Sequence, residues 1–337
     1  MVKRKLDCRV CKSKDLKMIW DFGMTPLAND YVSKPFLDQK EEFYPLQVNR
    51  CSNCGNFQLA HVVDSELLFS EYLYASSTSP VFVKHFEDFA TKMGKKNFVV
   101  DIGGNDGILL KPFERLGSKV LNVDPAGNIE SSVPFAKEFF TKDLANRIVA
   151  MYGQADLITA TNVFAHIDDL DDVVEGVKVL LSDDGQFVIE VTNLEQMLED
   201  GTFDQIYHEH VNYWTEQAFR TFFSLRGMTV TEIEKIPVHG GSLRVYVKKG
   251  GSGSFLNKIR ENRAILLSML TNIKSEGKTI AGYGAPAKAT TLLSYFGLAD
   301  MIDFIVDDSP LKIGKFMPGS HIPIVSSEEL YKRNPDY

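Results

Sequence analysis

Residues 98–110 read Phe-Val-Val-Asp-Ile-Gly-Gly-Asn-Asp-Gly-Ile-Leu-Leu, and no other stretch restricts the fold as tightly. A short run of apolar β-formers enters Gly103, Gly104 and Gly107, and an amphipathic pattern follows, which predicts a strand, a tight turn and a helix start. A turn without Cβ atoms lets a ligand approach the backbone, and the helix N-terminus behind it offers unpaired N–H groups. Asp101 and Asp106 flank this turn. Carboxylates there repel a pyrophosphate but suit a ligand that carries hydroxyls and positive charge, as S-adenosylmethionine (SAM) does with its sulfonium and amino groups. A second strand over 119–123 ends in Asp124, where an acid that accepts ribose hydroxyls is expected in a Rossmann-type unit. A plain structural turn and a different nucleotide are the competing readings. The expected cofactor set is Asp101, Gly103, Gly104, Asn105, Asp106, Gly107, Asp124, Pro125 and Asn162.

From 98 to 249 strand and helix patterns alternate as a doubly wound sheet requires. Pro80 opens a predicted helix through Met93, and Ser79 is its expected cap. A strand over 155–160 leads to His166, just outside its carboxyl end. Asp168 or Asp169 caps a helix bearing Leu170, Val173, Val174, Val177 and Leu180. Asp183-Asp184-Gly185 then turns the chain into a strand over 187–191. A helix over 216–225 and strands over 228–236 and 243–247 complete the sheet, and 248–253 is the clearest linker.

Four cysteines occur, as Cys8-x-x-Cys11 and Cys51-x-x-Cys54. Two knuckles of this spacing complete a tetrahedral Zn²⁺ site, and four protein ligands leave no position open for chemistry, so the ion is expected to be structural. The segment between the pairs shows little regular pattern, which suggests that metal ligation substitutes for a core too small to hold itself. The 37 basic and 45 acidic residues give a formal charge of −8, which argues against nucleic acid and anionic membranes as partners. No stretch approaches ~20 apolar residues and no signal peptide is evident, so a cytoplasmic protein is expected.

Tyr207-His208-Glu209-His210 offers a base near neutral pH beside a carboxylate. The metalloprotease pattern H-E-x-x-H fails here, because His208 and His210 are two apart and would face opposite sides of a helix; on an extended strand they would share a face. Acid–base work is the better reading. Further on, His239-Gly240-Gly241 forms a turn that a ligand could approach, and a strand over 279–281 leads into Gly282-Tyr283-Gly284-Ala285-Pro286-Ala287-Lys288. That run matches G-x-G-x-x-A and is a phosphate or nucleotide cradle on one reading and a structural turn on the other.

In order, these motifs resemble the sugar C-methyltransferases that act on nucleotide-linked keto-sugars. The match also runs through Tyr72-Leu73-Tyr74-x-Ser76-Ser77, Asn162-x-x-x-His166-Ile and Pro237-x-His239-Gly-Gly241. The resemblance implies an α/β protein with a small zinc-binding domain (1–75), a central Rossmann-like SAM-dependent methyltransferase domain (76–249) and a Rossmann-like C-terminal domain (250–337) that helps hold the sugar nucleotide. It implies His210 as general base, with Tyr207, Glu209, His166 and a tyrosine of the Tyr72/Tyr74 pair around the sugar. His239, Gly240, Gly241, Tyr283 and Lys288 become substrate-binding candidates, while oligomeric state is left open. Three departures stand out. The family commonly extends past the position of Tyr337, so a shortened last domain is expected; His208 stands where relatives carry an acid; and Tyr72-Leu-Tyr74 replaces Tyr-Pro-Tyr. The rival functions are methyl transfer to oxygen or nitrogen, a sugar-nucleotide binding module without turnover, and an oxidoreductase using the second glycine turn for NAD.

Overall fold

The computed structural model describes residues 2–69, 80–131, 133–238, 240–250 and 252–337. Ser79, Tyr72, Tyr74 and His239 lie outside them. Contacts divide the chain into two compact units, Met1–Ser254 and Phe255–Tyr337.

The first unit is built on a seven-stranded sheet. Its strands are β1 (Phe98–Ile102), β2 (Lys119–Val123), β3 (Phe135–Ala136), β4 (Ala155–Thr161), β5 (Leu181–Thr192), β6 (Met228–Ile236) and β7 (Ser242–Lys249). Their spatial order is β3-β2-β1-β4-β5-β7-β6. β1 to β5 run parallel, and β7 lies antiparallel to both β5 and β6. Strand order reverses between β1 and β4, so the crevice beyond their carboxyl ends is the place where an open α/β sheet takes a ligand. Every residue of β1 is buried, as a strand covered on both faces must be.

The helix Leu170–Leu180 starts as expected, with the Asp169 side chain accepting from the Asp172 N–H. Asp183-Asp184-Gly185 does not end the helix with a turn before a new strand. β5 already begins at Leu181 opposite Ala155, and its register breaks before Gln186, so these residues bulge within one strand. The expected linker is also shorter: Lys248 and Lys249 pair with Thr229 and Met228, and a helix, Ser252–Ser275, follows at once.

Beneath the β4–β5 region, Phe164 is fully buried and touches the rings of Phe187, Trp214, Phe219, Phe222 and Phe223. Phe164→Ala would empty the middle of that cluster. A loss of about 3–5 kcal/mol in urea unfolding is expected, and a loss below 1 kcal/mol would mean that the rings close over the space.

The N-terminal segment is more regular than expected. Strands Leu16–Thr25, Tyr44–Cys51 and Phe57–Leu59 form an antiparallel sheet whose fourth strand, Asn212–Tyr213, comes from far along the chain. Leu46, Val48 and Leu59 share a buried cluster with Leu194, Met197, Ile206 and Tyr213. The sheet therefore buries its apolar face against residues 135 to 167 positions away, rather than relying on metal alone.

In the second unit, Ala281–Tyr283, Phe304–Val306 and Ile324–Val325 form a parallel sheet in that order. Pairing carries the first strand through Gly282 and Tyr283, so the turn begins at Gly284 rather than Gly282. Asp307 accepts from the N–H groups of Ala285 and Ser309. Asp124 does the same in the first unit with Asn105 and Ala126, so one device is built twice. No helix among the described residues is long and apolar enough to cross a membrane.

Candidate active site and metal centre

The four cysteine sulfurs lie within 4.8 Å of one another, with Cys8–Cys54 and Cys11–Cys51 each at 3.6 Å. A tetrahedron with metal–sulfur bonds of about 2.3 Å has edges of about 3.8 Å. The cluster thus fits one Zn²⁺ held by Cys8, Cys11, Cys51 and Cys54.

A cleft of about 1300 Å³ opens at the carboxyl ends of β1 and β4. Asp101, Gly103, Gly104, Asn105, Asp124, Pro125 and Asn162 line it, as do His166, Tyr207 and His210. Asn105 and Asn162 both take left-handed backbone conformations (φ 51° and 56°), one after each strand, where asparagine is the non-glycine residue best able to turn the chain. Gly104 has no room for a side chain: a Cβ would sit 2.3 Å from Asn122 Oδ1 and 2.7 Å from Asp101 Oδ2. Gly103 is equally confined, its Cβ position falling 2.5 Å from Val163 Cγ2.

Asp101 lies under this turn, 1% exposed. Thr159 donates to its Oδ1 at 2.6 Å, while its buried Oδ2 has no hydrogen-bond partner among the described residues. An unsatisfied buried carboxylate oxygen beside a backbone cradle fits a cationic, hydroxyl-bearing ligand such as SAM. Burial pushes the Asp101 carboxyl up to about 7; the charges of Asp124 and Glu190 add to this and the Thr159 hydrogen bond opposes it. A raised acid favours the protonated ligand-free form at low pH, and that stability is lost as pH rises toward 7. A cation favours the carboxylate, so binding must expel the proton below 7. SAM affinity is expected to rise with pH by up to about tenfold per unit below 7 and to level off above it, with matching proton release in calorimetry across buffers. A flat profile from pH 6 to 8 would remove Asp101 from this role.

Asp124 is also raised by burial, against the N–H groups of Ala126 and Asn105 that favour its charge. Asp106 is buried at the turn, but it and Gly107 do not line the cleft.

His210 sits in a turn closed by its own N–H donating to the Tyr207 carbonyl at 3.0 Å. Its Nδ1 lies 2.9 Å from the carbonyl oxygen of Gln205, an atom that only accepts, so Nδ1 carries the hydrogen and Nε2 is the basic nitrogen. The Tyr207 hydroxyl meets Nε2 at 2.8 Å. The rings of His166 and His210 meet edge to face, 5.0 Å apart. Burial, to which a positive charge on His210 would add, holds His166 well below the usual histidine range and therefore neutral at pH 7.

His208 faces away, edge-on to Tyr44, so the two histidines do not share a face as a strand would have given them. Burial lowers its pKa. Glu209 is buried and does not line the cleft; its Oε1 accepts from Asn29, which does. Burial raises its carboxyl against that hydrogen bond.

Gly240 and Gly241 form the turn into β7, with the Gly241 carbonyl accepting from Asn193, and neither lines the cleft. In the second unit Tyr283 is exposed and donates to Asp308, and Lys288 is exposed in the first turn of Ala287–Phe296. Asp307 is held down at about 2 by the N–H groups of Ala285 and Ser309 and by Lys312.

The cleft's other walls are not legible in the sequence as parts of a site. Phe82 and Phe86, on the helix Pro80–Met93, form an apolar side. That helix is tied to the sheet by His85, whose Nε2 lies 2.8 Å from Glu190, itself paired with Arg244 at 2.6 Å. Lys3, Arg4 and Lys5, beside the first knuckle, also line the cleft, and only their proximity to a metal site could have hinted at it.

Residues 8–69 match a family model for a zinc binding domain, 75–233 one for a methyltransferase domain, and 251–337 one described as the C-methyltransferase C-terminal domain. The C-methyltransferase NovU of Streptomyces niveus is 31% identical over 369 residues, spanning 98% of this chain and 88% of that protein. Among solved structures, the 1,6-didemethyltoxoflavin-N1-methyltransferase of Burkholderia thailandensis overlaps 59% of this chain and 98% of its own (15% identity, TM-score 0.39). The magnesium protoporphyrin IX methyltransferase of Synechocystis PCC 6803 overlaps 50% and 82% (13% identity, TM-score 0.38). With a relative of that identity aligned across nearly the whole chain, and the zinc, methyltransferase and C-terminal domains in this order, the chain belongs to the zinc-binding, SAM-dependent C-methyltransferase family.

Proposed function

We propose that this enzyme adds a methyl group to a carbon adjacent to the ketone of a nucleotide-linked, TDP-type keto-deoxysugar, by way of an enolate formed by His210. The observation that carries the reading is the His210 ring, locked by the Gln205 carbonyl with its basic Nε2 on the Tyr207 hydroxyl, in the same cleft as the glycine turn. The motif order read in the sequence supports the sugar-nucleotide substrate. The relative NovU supports transfer to carbon through its name alone.

Carbon becomes nucleophilic only when a proton leaves, and a neighbouring ketone makes that feasible by taking the charge onto oxygen. SAM, when bound, supplies the electrophilic methyl. His210 Nε2 takes the α-proton once the Tyr207 hydroxyl turns from Nε2 to the ketone oxygen, where it steadies the developing enolate. His166, kept neutral by burial, stands beside His210 and offers a second polar group without adding charge. Glu209 acts through Asn29, a wall residue, and grips the sugar at one remove. The apolar side formed by Phe82 and Phe86 keeps water from the carbanion.

The test is to incubate the enzyme with methyl-labelled SAM and a panel of TDP-linked 4-keto-deoxysugars, then locate the label by mass spectrometry and NMR. Label on a ring carbon next to the ketone is expected. Label on oxygen or nitrogen would replace this reading with heteroatom transfer, and SAM binding without any labelled product would point to another substrate class.

A further inference from the structure

The two histidines of the cleft stand on separate loops, and each loop is fastened to the zinc module. After His210, the Val211 carbonyl accepts from the Leu59 N–H at 3.0 Å, and Asn212 pairs with Gln58 as the fourth strand of the N-terminal sheet. Asn212 in turn donates its N–H to the Ala165 carbonyl, next to His166, at 3.2 Å. On the other side of His166, Asp168 is paired with Arg9, its Oδ1 lying 2.9 Å from Nε and 2.8 Å from a terminal nitrogen. Arg9 lies between the ligands Cys8 and Cys11, is fully buried, and has its own N–H on Gln58 Oε1 at 2.8 Å.

Burying a guanidinium is costly and is tolerated only with a partner held in place. A knuckle needs no such residue to bind metal, so the placement of Arg9 calls for a use beyond ligation. Arg226 also fastens the knuckle from the methyltransferase side, donating to the Val10 carbonyl at 3.0 Å while its Nε pairs with Asp171 at 2.7 Å.

We infer that Arg9 is a positioning residue: through Asp168 it fixes the 165–168 loop and thereby the orientation of His166 against His210, so that the zinc knuckle sets the geometry of the reacting site. This rests on the reading of His166 and His210 as the polar pair of the cleft. Arg9→Met removes the charge but keeps much of the volume, and Asp168, which is part-exposed and also near Lys5 at 3.4 Å, is not left stranded. Asp168→Asn keeps an acceptor but takes the counter-charge from the fully buried Arg9, and serves as the harsher variant.

The experiment compares wild type, both variants and His166→Gln by four readouts: zinc content, KM for SAM, kcat, and the His166 ring resonance, identified by its loss in His166→Gln. In Arg9→Met, kcat is expected to fall about 10- to 100-fold, as for an ångström-scale misplacement, with a shifted His166 resonance, unchanged KM for SAM and full zinc. Asp168→Asn is expected to move kcat and the His166 resonance at least as far, with zinc retained. Wild-type kcat and an unmoved resonance in Arg9→Met would overturn the inference. So would joint loss of zinc, SAM affinity and kcat in both variants, which would make the pair a support of the fold only. If His166→Gln itself turned over like wild type, the reading of the cleft would fail instead.

Discussion

His210→Ala is expected to lower turnover about 100- to 10,000-fold, the range that a positioned acid–base group contributes. SAM affinity should stay within about twofold of wild type, because the side chain reaches Tyr207 and the Gln205 carbonyl rather than the glycine turn. A second readout separates base from scaffold. In D₂O and without SAM, the wild-type enzyme should exchange the substrate's α-hydrogen for deuterium, and the variant should not. A variant that keeps near-wild-type turnover would show that another group removes the proton. Tyr207→Phe is the informative partner: it leaves Nε2 basic but removes the hydroxyl proposed to meet the enolate, so exchange and methyl transfer should both slow while the base remains.

Cys51→Ser should have the largest effect on stability. Cys8, Val10 and Cys51 are buried in the same cluster as Phe164, Trp214 and the central strands, so the metal knuckle is part of the first unit's main core. Loss of zinc should cost the unit more than about 4 kcal/mol, in the class of effects that follow removal of a structural metal. It should take the tertiary fold of both the zinc and SAM regions together in one transition. The measurements are zinc content by mass spectrometry and urea unfolding followed by near-ultraviolet circular dichroism, with chelator-treated wild type as a second route to the same state. Wild-type stability with no bound zinc would show that the shared core holds without the ion. Two separate transitions would show that the knuckle folds apart from the sheet despite that core.

Much of the first unit's fold and part of its cleft could be read locally. The turn at Gly103 and Gly104 and the strand before it follow from neighbouring residues alone: a buried strand needs apolar β-formers, and a backbone cradle needs positions without Cβ. Asp124 follows from its place at the end of β2. The helices Leu170–Leu180 and Glu216–Leu225 carry their own caps and stripes, with Asp169 and Thr215 as N-caps. The bulge at Asp183 to Gly185 was hidden because a Gly-containing acidic run has the same composition whether it turns the chain or loops out of a continuing strand. In the second unit, the start of the turn slipped from Gly282 to Gly284 because pairing with Phe304–Val306, rather than residue type, sets where a glycine-bearing strand ends.

The cluster at Tyr207 to His210 shows the other limit. Its residue types announced acid–base chemistry, but the direction of each side chain depended on a turn no local pattern marks. His208 packs on Tyr44 and His210 on His166, and both partners are distant in the chain. The same holds for Arg9, a single charged residue inside a knuckle, whose burial and pairing with Asp168 exist only once residues 159 positions apart meet.

By itself, then, the sequence determined the chemistry available: four thiols at knuckle spacing, a glycine turn flanked by carboxylates, a histidine-rich cluster, and two Rossmann-type turns. These are short-range facts, fixed by side-chain type and by spacing along a few residues. Tertiary structure alone decided that the zinc module borrows Asn212–Tyr213 as a strand and the methyltransferase core as its own, and that this docking brings His166 and His210 to 5.0 Å. The physical reason is that burial and strand pairing reward contacts regardless of separation in the chain, so a residue's partner is set by which distant faces exclude water together.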